Sequence, residues 1–145
     1  MTDSRDPFFS VERRVEFRDT DAAGIVHFSA FFPMMESAEH ALLRHVGLQV
    51  MHPLEDGTHL TWPRVSASCD YFGAARFEEI LTIVPTVIHL GTKSVRYSFD
   101  IRRGVDEIAR GQFATVCCVL SPAGKLHSVP IPDEIRSALR RAMVA

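Results

Sequence analysis

Two carboxylates and a glycine stand close together near the start of the chain, in Phe17-Arg18-Asp19-Thr20-Asp21-Ala22-Ala23-Gly24-Ile25-Val26-His27. Residues with strand-like alternation precede this motif, and a helix-like pattern follows it. A carboxylate held just before a helix can act as nucleophile or general base on a carbonyl group that the free N–H groups of the helix polarise. The alternative for two aspartates before Ala-Ala-Gly is a turn stabilised by their side chains, with no chemistry.

The elements that must position this motif are a short strand before it and a long helix after it. Alternation predicts a short amphipathic strand over residues 11–17, and helical spacing predicts a helix over residues 29–46. Ser29 is the expected N-cap, Pro33 fits the first turn, and Gly47 is the expected stop. The helix is rich in bulky apolar residues, so we expect it to be largely buried.

Beyond the helix the pattern changes to the period of two that is typical of strands. Residues 48–60 are predicted as a connecting loop or a short extra turn, and residues 132–143 as a short C-terminal helix. Because short turns join the strands, they must pair antiparallel, and such a sheet can bury the helix only by curving around it. The predicted strands are Thr61–Phe72, Glu79–Leu90, Lys93–Arg102 and Glu107–Leu120.

The composition is that of an ordinary globular chain. Of 145 residues 46% are hydrophobic and 23% are charged, and the net charge of -2 gives no overall field that favours nucleic acid or an anionic membrane. No stretch approaches the ~18 apolar residues needed to span a bilayer, and three cysteines do not make a disulfide framework. We expect a single domain over residues 1–145, with 1–10 as a loose lead-in, in a cytoplasmic protein that binds neither nucleic acid nor membrane.

Further motifs follow the first one along the chain: Glu36 on the helix, Pro63–Tyr71, Leu90–Val95 and Val129–Pro132. Together they resemble the acyl-CoA thioesterases of the 4-hydroxybenzoyl-CoA thioesterase type. The resemblance implies an α+β protein of hot-dog fold, in which a curved five-stranded antiparallel sheet wraps around a long central helix. It implies a hydrolase that acts on acyl-CoA and needs no cofactor, since CoA is part of the substrate. It also implies sites at subunit interfaces, and therefore a homodimer or a homotetramer.

The same resemblance implies roles for the residues of the first motif and the helix. Asp21 would attack the thioester carbonyl or activate a water, and Gly24 would let the backbone pass close to the substrate. The backbone N–H of Phe28 would face the thioester oxygen, and Asp19 would shape the turn. Glu36 is either a catalytic or substrate-facing group across the dimer interface or a buried, paired structural residue.

Candidate substrate contacts lie in three places. His27, beside the motif, either contacts substrate or positions water, or is simply packed. Relatives place basic phosphate contacts at the position of Lys93, and Lys125 and His127 are weaker candidates from the same comparison. The acyl group is expected to meet large apolar side chains, namely Phe31, Phe32, Met35 and Trp62. The histidines have no spacing typical of a metal site, so we expect no metal.

Two departures from the family pattern bear on substrate and on rival functions. Phe28 stands where the related bacterial Tol-Pal-associated thioesterases have a histidine, and Phe31 stands where a tyrosine is usual. A hot-dog hydratase or dehydratase is one rival, although that chemistry usually pairs an acid with a histidine. A non-catalytic acyl-CoA-binding module is the other rival. The sequence also leaves open a thioester on acyl carrier protein.

Overall fold

A computed structural model describes residues 9–143, so most of the predicted lead-in (residues 1–10) lies outside the described residues. Two helices form, α1 over Phe31–His45 and α2 over Asp133–Arg140. Short 3-10 turns cover Phe17–Asp19 and Phe28–Ala30. The strands are β1 (Val11–Arg14), β2 (His52–Pro53), β3 (His59–Thr61), β4 (Arg64–Tyr71), β5 (Ile80–Leu90), β6 (Ser94–Arg103), β7 (Asp106–Val116), β8 (Cys118–Leu120) and β9 (Leu126–Ser128). Within residues 9–143 no helix combines the length and apolar character that crossing a membrane requires.

Five strands form one antiparallel sheet in the order β1-β5-β6-β7-β4, and α1 packs against it. Alternate residues of the central strands point into the core, as the period of two predicts. On β6 these buried residues are Val95, Tyr97, Phe99 and Ile101. Full burial of one such side chain stabilises the fold by roughly 1.5–3 kcal/mol, so this layer fixes the position of the helix.

A glycine on β7 allows the close approach of helix and sheet. A Cβ atom built on Gly111 would overlap the sulfur of Met35 on α1 and lie 3.0 Å from the carbonyl oxygen of Ser68 on β4. Met35 is fully buried, so its side chain has little room to move aside. Any larger residue at position 111 would therefore push α1 away from the sheet.

The start of α1 differs from the prediction. Ser29 is not its N-cap, because residues 28–30 form a 3-10 turn and the α-helix begins at Phe31. His27 caps this turn instead, since its Nδ1 accepts the backbone N–H of Ser29 at 3.2 Å. A histidine is an unusual cap, and this explains why the sequence pattern pointed to the serine.

The predicted stop at Gly47 is confirmed. Gly47 has φ +84, the left-handed region that favours glycine. Its N–H donates to the carbonyl of Arg44 at 3.1 Å, and the N–H of Leu48 donates to the carbonyl of Leu43 at 2.8 Å. These two bonds form a Schellman motif, which satisfies the last carbonyls of the helix.

A second, four-stranded sheet in the order β2-β3-β8-β9 was missed by the sequence analysis. Residues 48–60, predicted as a loop, contribute β2 and most of β3. The predicted strand 107–120 divides at Cys117, whose N–H donates to the carbonyl of Lys93 at 2.6 Å and whose carbonyl accepts from Val129 at 3.0 Å. The chain changes partners there, leaving the large sheet for the small one.

Candidate active site

The carboxylate of Asp21 both closes a turn and faces solvent. Its Oδ1 accepts the N–H of Ala23 at 2.8 Å, and its carbonyl accepts the N–H of Gly24 at 3.0 Å. Its Oδ2 has no hydrogen-bond partner among the described residues, and the side chain is partly exposed. The turn and the chemistry are therefore compatible, because the turn occupies only one carboxylate oxygen.

Gly24 serves the turn through its backbone conformation. Its φ of +79 is the left-handed region, and a Cβ built there would meet no atom within 4 Å. The requirement for glycine is conformational, since the space for a side chain exists. Close approach of a substrate to Gly24 stays a prediction.

Asp19 anchors the start of the motif. It is only 7% exposed, and its carboxylate accepts the Arg13 guanidinium at 3.2 Å and the N–H of Glu16 at 2.8 Å. Its carbonyl accepts the N–H of His27 at 2.8 Å. Asp19 therefore fixes both ends of the loop that carries Asp21, in keeping with the structural role predicted for it.

The backbone around Phe28 is held by hydrogen bonds on both sides. The carbonyl of His27 accepts the N–H of Ala30 at 2.9 Å, so the N–H of Phe28, trans to it in the same peptide plane, points away from the 3-10 turn. The carbonyl of Phe28 accepts the Tyr71 hydroxyl at 2.9 Å. The next N–H, that of Ser29, is bound by His27. These bonds fix the direction of the Phe28 N–H before any ligand arrives.

Asp21 and Phe28 line one cavity of about 230 Å³. Phe31 and Tyr71 form part of its wall, with ring centroids 5.5 Å apart, and residues 73–75 complete one side. Phe31 is only 3% exposed, so a small part of its apolar side chain lines the cavity and the rest packs in the core. Asp21, with its carboxylate, and Phe28, with a backbone N–H of fixed direction, therefore line one cavity that also has apolar side chains in its wall.

Glu36 and Phe32 lie in a different cavity, of about 240 Å³, together with Arg64 and Phe113. Glu36 is 50% exposed at its side chain and lies 3.2 Å from Arg64. The guanidinium of Arg64 also stacks over the ring of Phe113 at 4.7 Å. Within one chain Glu36 is therefore ion-paired, as the structural alternative predicted, but it is accessible and not buried. Its contact with substrate across a dimer interface stays a prediction.

The buried carboxylate of the helix is Glu39, which was not among the candidate residues predicted from the sequence. It is 4% exposed and accepts a hydrogen bond from Arg64 at 2.9 Å. Burial raises the pKa of Glu39 to about 7, while Arg64 acts in the opposite direction and Glu36 adds to the rise. Helical spacing had placed Glu39 on the same face as Met35 and Leu42, and that was the available signal.

The other apolar candidates are divided between core and surface. Trp62 and Met35 are buried in the main core, so neither lines the Asp21 cavity. Phe28 itself has an exposed ring that lies against His27 at 4.5 Å. Of the predicted acyl contacts, only Phe31 shares a cavity with Asp21.

Lys93, Lys125 and His127 lie at the opposite end of the sheet. Lys93 follows β5, and its Nζ is 3.4 Å from the hydroxyl of Ser128 on β9, the strand that carries His127. Along β7, Ala109 pairs with Tyr71 and Val116 pairs with Ser94. Seven residues of strand separate these rows, or about 24 Å. One chain does not bring these cations to the Asp21 cavity, and their contact with phosphate stays a prediction.

His27 is not among the residues that line the Asp21 cavity. It lines a third cavity, of about 550 Å³, with Arg13, Arg18, Thr20 and Ser29. In the described part of the chain no three His, Cys, Asp or Glu side chains are grouped closely enough to hold a metal ion. The Nδ1 atom of His27 is engaged in the hydrogen bonds that cap the 3-10 turn. Contact of His27 with substrate stays a prediction.

More than half of the chain matches a known family. Residues 23–109 fit the profile of the thioesterase superfamily. The chain belongs to that superfamily. The thioesterase is 29% identical over 135 residues to the 1,4-dihydroxy-2-naphthoyl-CoA hydrolase of Synechocystis, an overlap of 90% of this chain and 94% of the relative. It is 25% identical over 130 residues to an acyl-CoA thioesterase of Haemophilus influenzae, with 90% and 93% covered.

Solved structures agree with this membership. The crystal structure of the Synechocystis 1,4-dihydroxy-2-naphthoyl-CoA thioesterase superposes with a TM-score of 0.78 at 28% identity, covering 91% of this chain and 95% of the other. The predicted hot-dog fold is confirmed. The thioesterase is a thioester hydrolase. The role of each site residue is not decided by these likenesses.

Proposed function

We propose that this thioesterase hydrolyses the thioester of an acyl-CoA to a free acid and CoA, with Asp21 as the reacting carboxylate. The observation that supports this most strongly is the shared cavity of Asp21 and Phe28. The names of its relatives, an acyl-CoA thioesterase and a 1,4-dihydroxy-2-naphthoyl-CoA hydrolase, support the substrate class. The shared cavity supports the choice of residues, and similarity to these relatives supports the substrate class.

The reaction needs charge stabilisation on the carbonyl oxygen. In the proposed mechanism this oxygen accepts the N–H of Phe28, which His27 and Tyr71 hold in place through the neighbouring peptide groups. The start of a helix adds a partial positive charge at that position. Removal of one such donor typically costs about 2.7–4 kcal/mol of transition-state stabilisation.

Asp21 supplies the other half of the reaction. As general base, its free oxygen takes a proton from water while the water oxygen bonds to the carbonyl carbon. As nucleophile, it forms a mixed anhydride that water then opens. In both routes the C–S bond breaks, and the CoA thiolate leaves and takes up a proton. The free oxygen of Asp21 suits either route.

The wall of the cavity suggests the acyl group. Phe31 and Tyr71 present aromatic faces near the reacting groups, and aromatic faces pack well on aromatic ligands. We include an aromatic or medium-length acyl group in the proposal, in line with the naphthoyl substrate in the name of one relative.

A homodimer, or a homotetramer built from it, also belongs to the proposal. Among residues 9–143, strand β4 pairs only with β7, so its other edge has no strand partner in this part of the chain. Exposed apolar side chains lie on and beside it, with Val65 65% exposed. Because Tyr71 ends this strand, a partner docked at the β4 edge would lie next to the Asp21 cavity.

The test is release of free thiol from aromatic, short, medium and long acyl-CoAs by the wild type and by Asp21→Asn. Loss of a general base or nucleophile is expected to lower the rate by ~10²–10⁴-fold on the preferred substrate. Asp106→Asn, at an exposed aspartate that begins β7, is the matched control and should keep wild-type turnover. Wild-type protein that binds acyl-CoA yet releases no thiol from the whole panel would overturn the proposal.

A further inference from the structure

The peptide group between Phe28 and Ser29 is held at both of its polar ends. Its carbonyl, that of Phe28, accepts the Tyr71 hydroxyl at 2.9 Å, and its N–H, that of Ser29, donates to Nδ1 of His27 at 3.2 Å. The preceding peptide group carries the N–H of Phe28, and its carbonyl accepts the N–H of Ala30 at 2.9 Å. Because consecutive planar peptide groups share one Cα atom, fixing the second group limits how far the first can rotate. His27 therefore acts on the N–H of Phe28 from one peptide group away.

Only the neutral form of His27 can accept this hydrogen bond. A backbone N–H is always a donor, so the Nδ1 that receives it carries a lone pair, and the ring hydrogen lies on Nε2. The same Nδ1 is 2.7 Å from the hydroxyl of Ser29. Protonation of the ring places a hydrogen on Nδ1, which then faces the N–H of Ser29 as a second donor. The hydroxyl can turn and accept from Nδ1, whereas the backbone N–H loses its partner.

His27 is accessible enough to exchange a proton with solvent. Its side chain is half-buried and lines the cavity of about 550 Å³ beside the loop that carries Asp21. An imidazole in ordinary surroundings is the side chain that changes its charge between about pH 5 and pH 8. A change of pH within the range of ordinary enzyme assays can therefore remove the hydrogen bond that holds Ser29.

The charged groups that line this cavity with His27 come from two elements. They are Arg13 on β1 and Arg18 and Asp19 on the 3-10 turn, while Pro33, the residue of α1 in this wall, is uncharged. Arg13 and Asp19 form an ion pair at 3.2 Å. All three charges stay in place when His27 alone is replaced. Their own titration therefore cannot explain a difference between the wild type and such a variant.

We propose that neutral His27 is a positioning residue for thioester hydrolysis and that its protonation lowers turnover. Its Nδ1 lone pair holds the N–H of Ser29 and thereby keeps the N–H of Phe28 directed at the thioester oxygen. The inference rests on the proposed hydrolysis by Asp21 and adds a proton-dependent control of the same site. Because this contact sets a direction and forms no part of a binding surface, it should act on kcat and leave KM nearly unchanged.

The experiment measures kcat for the preferred acyl-CoA between about pH 5.5 and pH 8 in the wild type, His27→Asn and His27→Ala. Asparagine is a good capping residue, and its side-chain oxygen accepts a backbone N–H throughout this range. His27→Asn should keep nearly wild-type kcat at the high end and have a flatter profile. His27→Ala should lose about twentyfold in kcat there, because both contacts to Ser29 are gone. The wild type should approach the level of His27→Ala at the low end. His89→Asn, at an exposed histidine on β5, is the matched control and should keep the wild-type profile.

NMR of isotope-labelled histidine rings in the wild type links the profile to His27. The signal that His27→Asn removes should titrate with the same midpoint as wild-type kcat, and different midpoints would contradict the inference. So would the same pH profile in wild type and His27→Asn, wild-type turnover in His27→Ala, or a change in KM alone. Failure of the wild type to hydrolyse any acyl-CoA would instead overturn the proposed function. Loss of turnover in Asp21→Asn with wild-type profiles in both His27 variants would overturn this inference alone.

Discussion

The loop over residues 19–27, here called the reaction loop, carries two aspartates that are only two residues apart and lie on different faces of it. The surroundings of these two carboxylates are opposite. Asp19 is buried and both its oxygens accept hydrogen bonds from Arg13 or the backbone. Asp21 is partly exposed and gives only one oxygen to the turn. A carboxylate whose lone pairs are occupied by the protein holds structure, whereas one with a free oxygen in a cavity can react. The difference in role follows from the number of donors each receives.

A third carboxylate, that of Glu39, extends this comparison, because a raised pKa is often a sign of a catalytic group. Burial raises the pKa of Glu39 to about 7, above the ordinary 4.5. The contribution of protonated Glu39 to the free energy of unfolding is complete below about pH 4.5. It falls as pH rises from there to 7, by about 3 kcal/mol in all, because the folded state holds this proton more tightly than the unfolded state. Glu39→Gln should remove this loss, so that the free energy of unfolding changes less between pH 5 and pH 8.

Urea unfolding at the two pH values measures the effect of Glu39→Gln. Glu36→Gln is the control, since it alters a neighbour of the same Arg64 that stands half in water. It should weaken the pH dependence of stability only slightly, because Glu36 is the smallest of the three influences on the pKa of Glu39. A loss of turnover in Glu39→Gln as large as that of Asp21→Asn would break the distinction between a perturbed carboxylate and a reacting one.

Backbone strain can be introduced into the turn that holds Asp21 without a steric overlap, by a substitution at Gly24. Gly24→Ala forces a Cβ into φ +79 with no atom in its way, which costs about 1–2 kcal/mol in the free energy of unfolding. Because the turn also sets the Asp21 carboxylate, kcat should fall too. Gly104→Ala, at φ +61 in an equally open turn, is the matched control. Chemical denaturation with steady-state kinetics should show similar destabilisation in both variants and a lower kcat only in Gly24→Ala.

The smallest effect on turnover is expected for a substitution of Tyr71, which lines the Asp21 cavity. Tyr71→Phe removes the hydroxyl that holds the carbonyl of Phe28, so the N–H of Phe28 loses part of its orientation. We expect kcat to fall about tenfold with KM nearly unchanged, a difference of about 1.4 kcal/mol. Tyr97→Phe, which removes a hydroxyl from the buried core, should leave kcat unchanged. A rise in KM alone would show that Tyr71 acts by binding substrate.

The sequence was sufficient for the features that local periodicity encodes. The long apolar helix and the alternating strands of the large sheet stood out, and Gly47 marked the end of the helix. The reaction loop stood out as well, because carboxylates, a glycine and a helix start follow one another along the chain. Such signals need no knowledge of distant contacts.

The features that were missed depend on tertiary contacts. Strands of two or three residues, such as β2 and β3, are too short to show a period. The division of β7 from β8 at Cys117 follows from bonds to Lys93 and Val129, which no local pattern encodes. The distance from Lys93 to Tyr71 is likewise a matter of strand register. The resemblance to the family therefore assigned Asp21 and Lys93 to one binding site, although they lie at opposite ends of the sheet within one subunit.

The most direct test of the two-face account compares Asp21→Asn with Asp19→Asn in the same thiol-release assay, with melting temperatures measured in parallel. The account predicts that Asp21→Asn loses ~10²–10⁴-fold in kcat while its melting temperature stays near the wild-type value. It predicts that Asp19→Asn melts about 10 °C lower, since its arginine is left unpaired, and keeps most of its turnover per folded molecule. Wild-type turnover in Asp21→Asn, or an equal loss of kcat in both, would contradict the account.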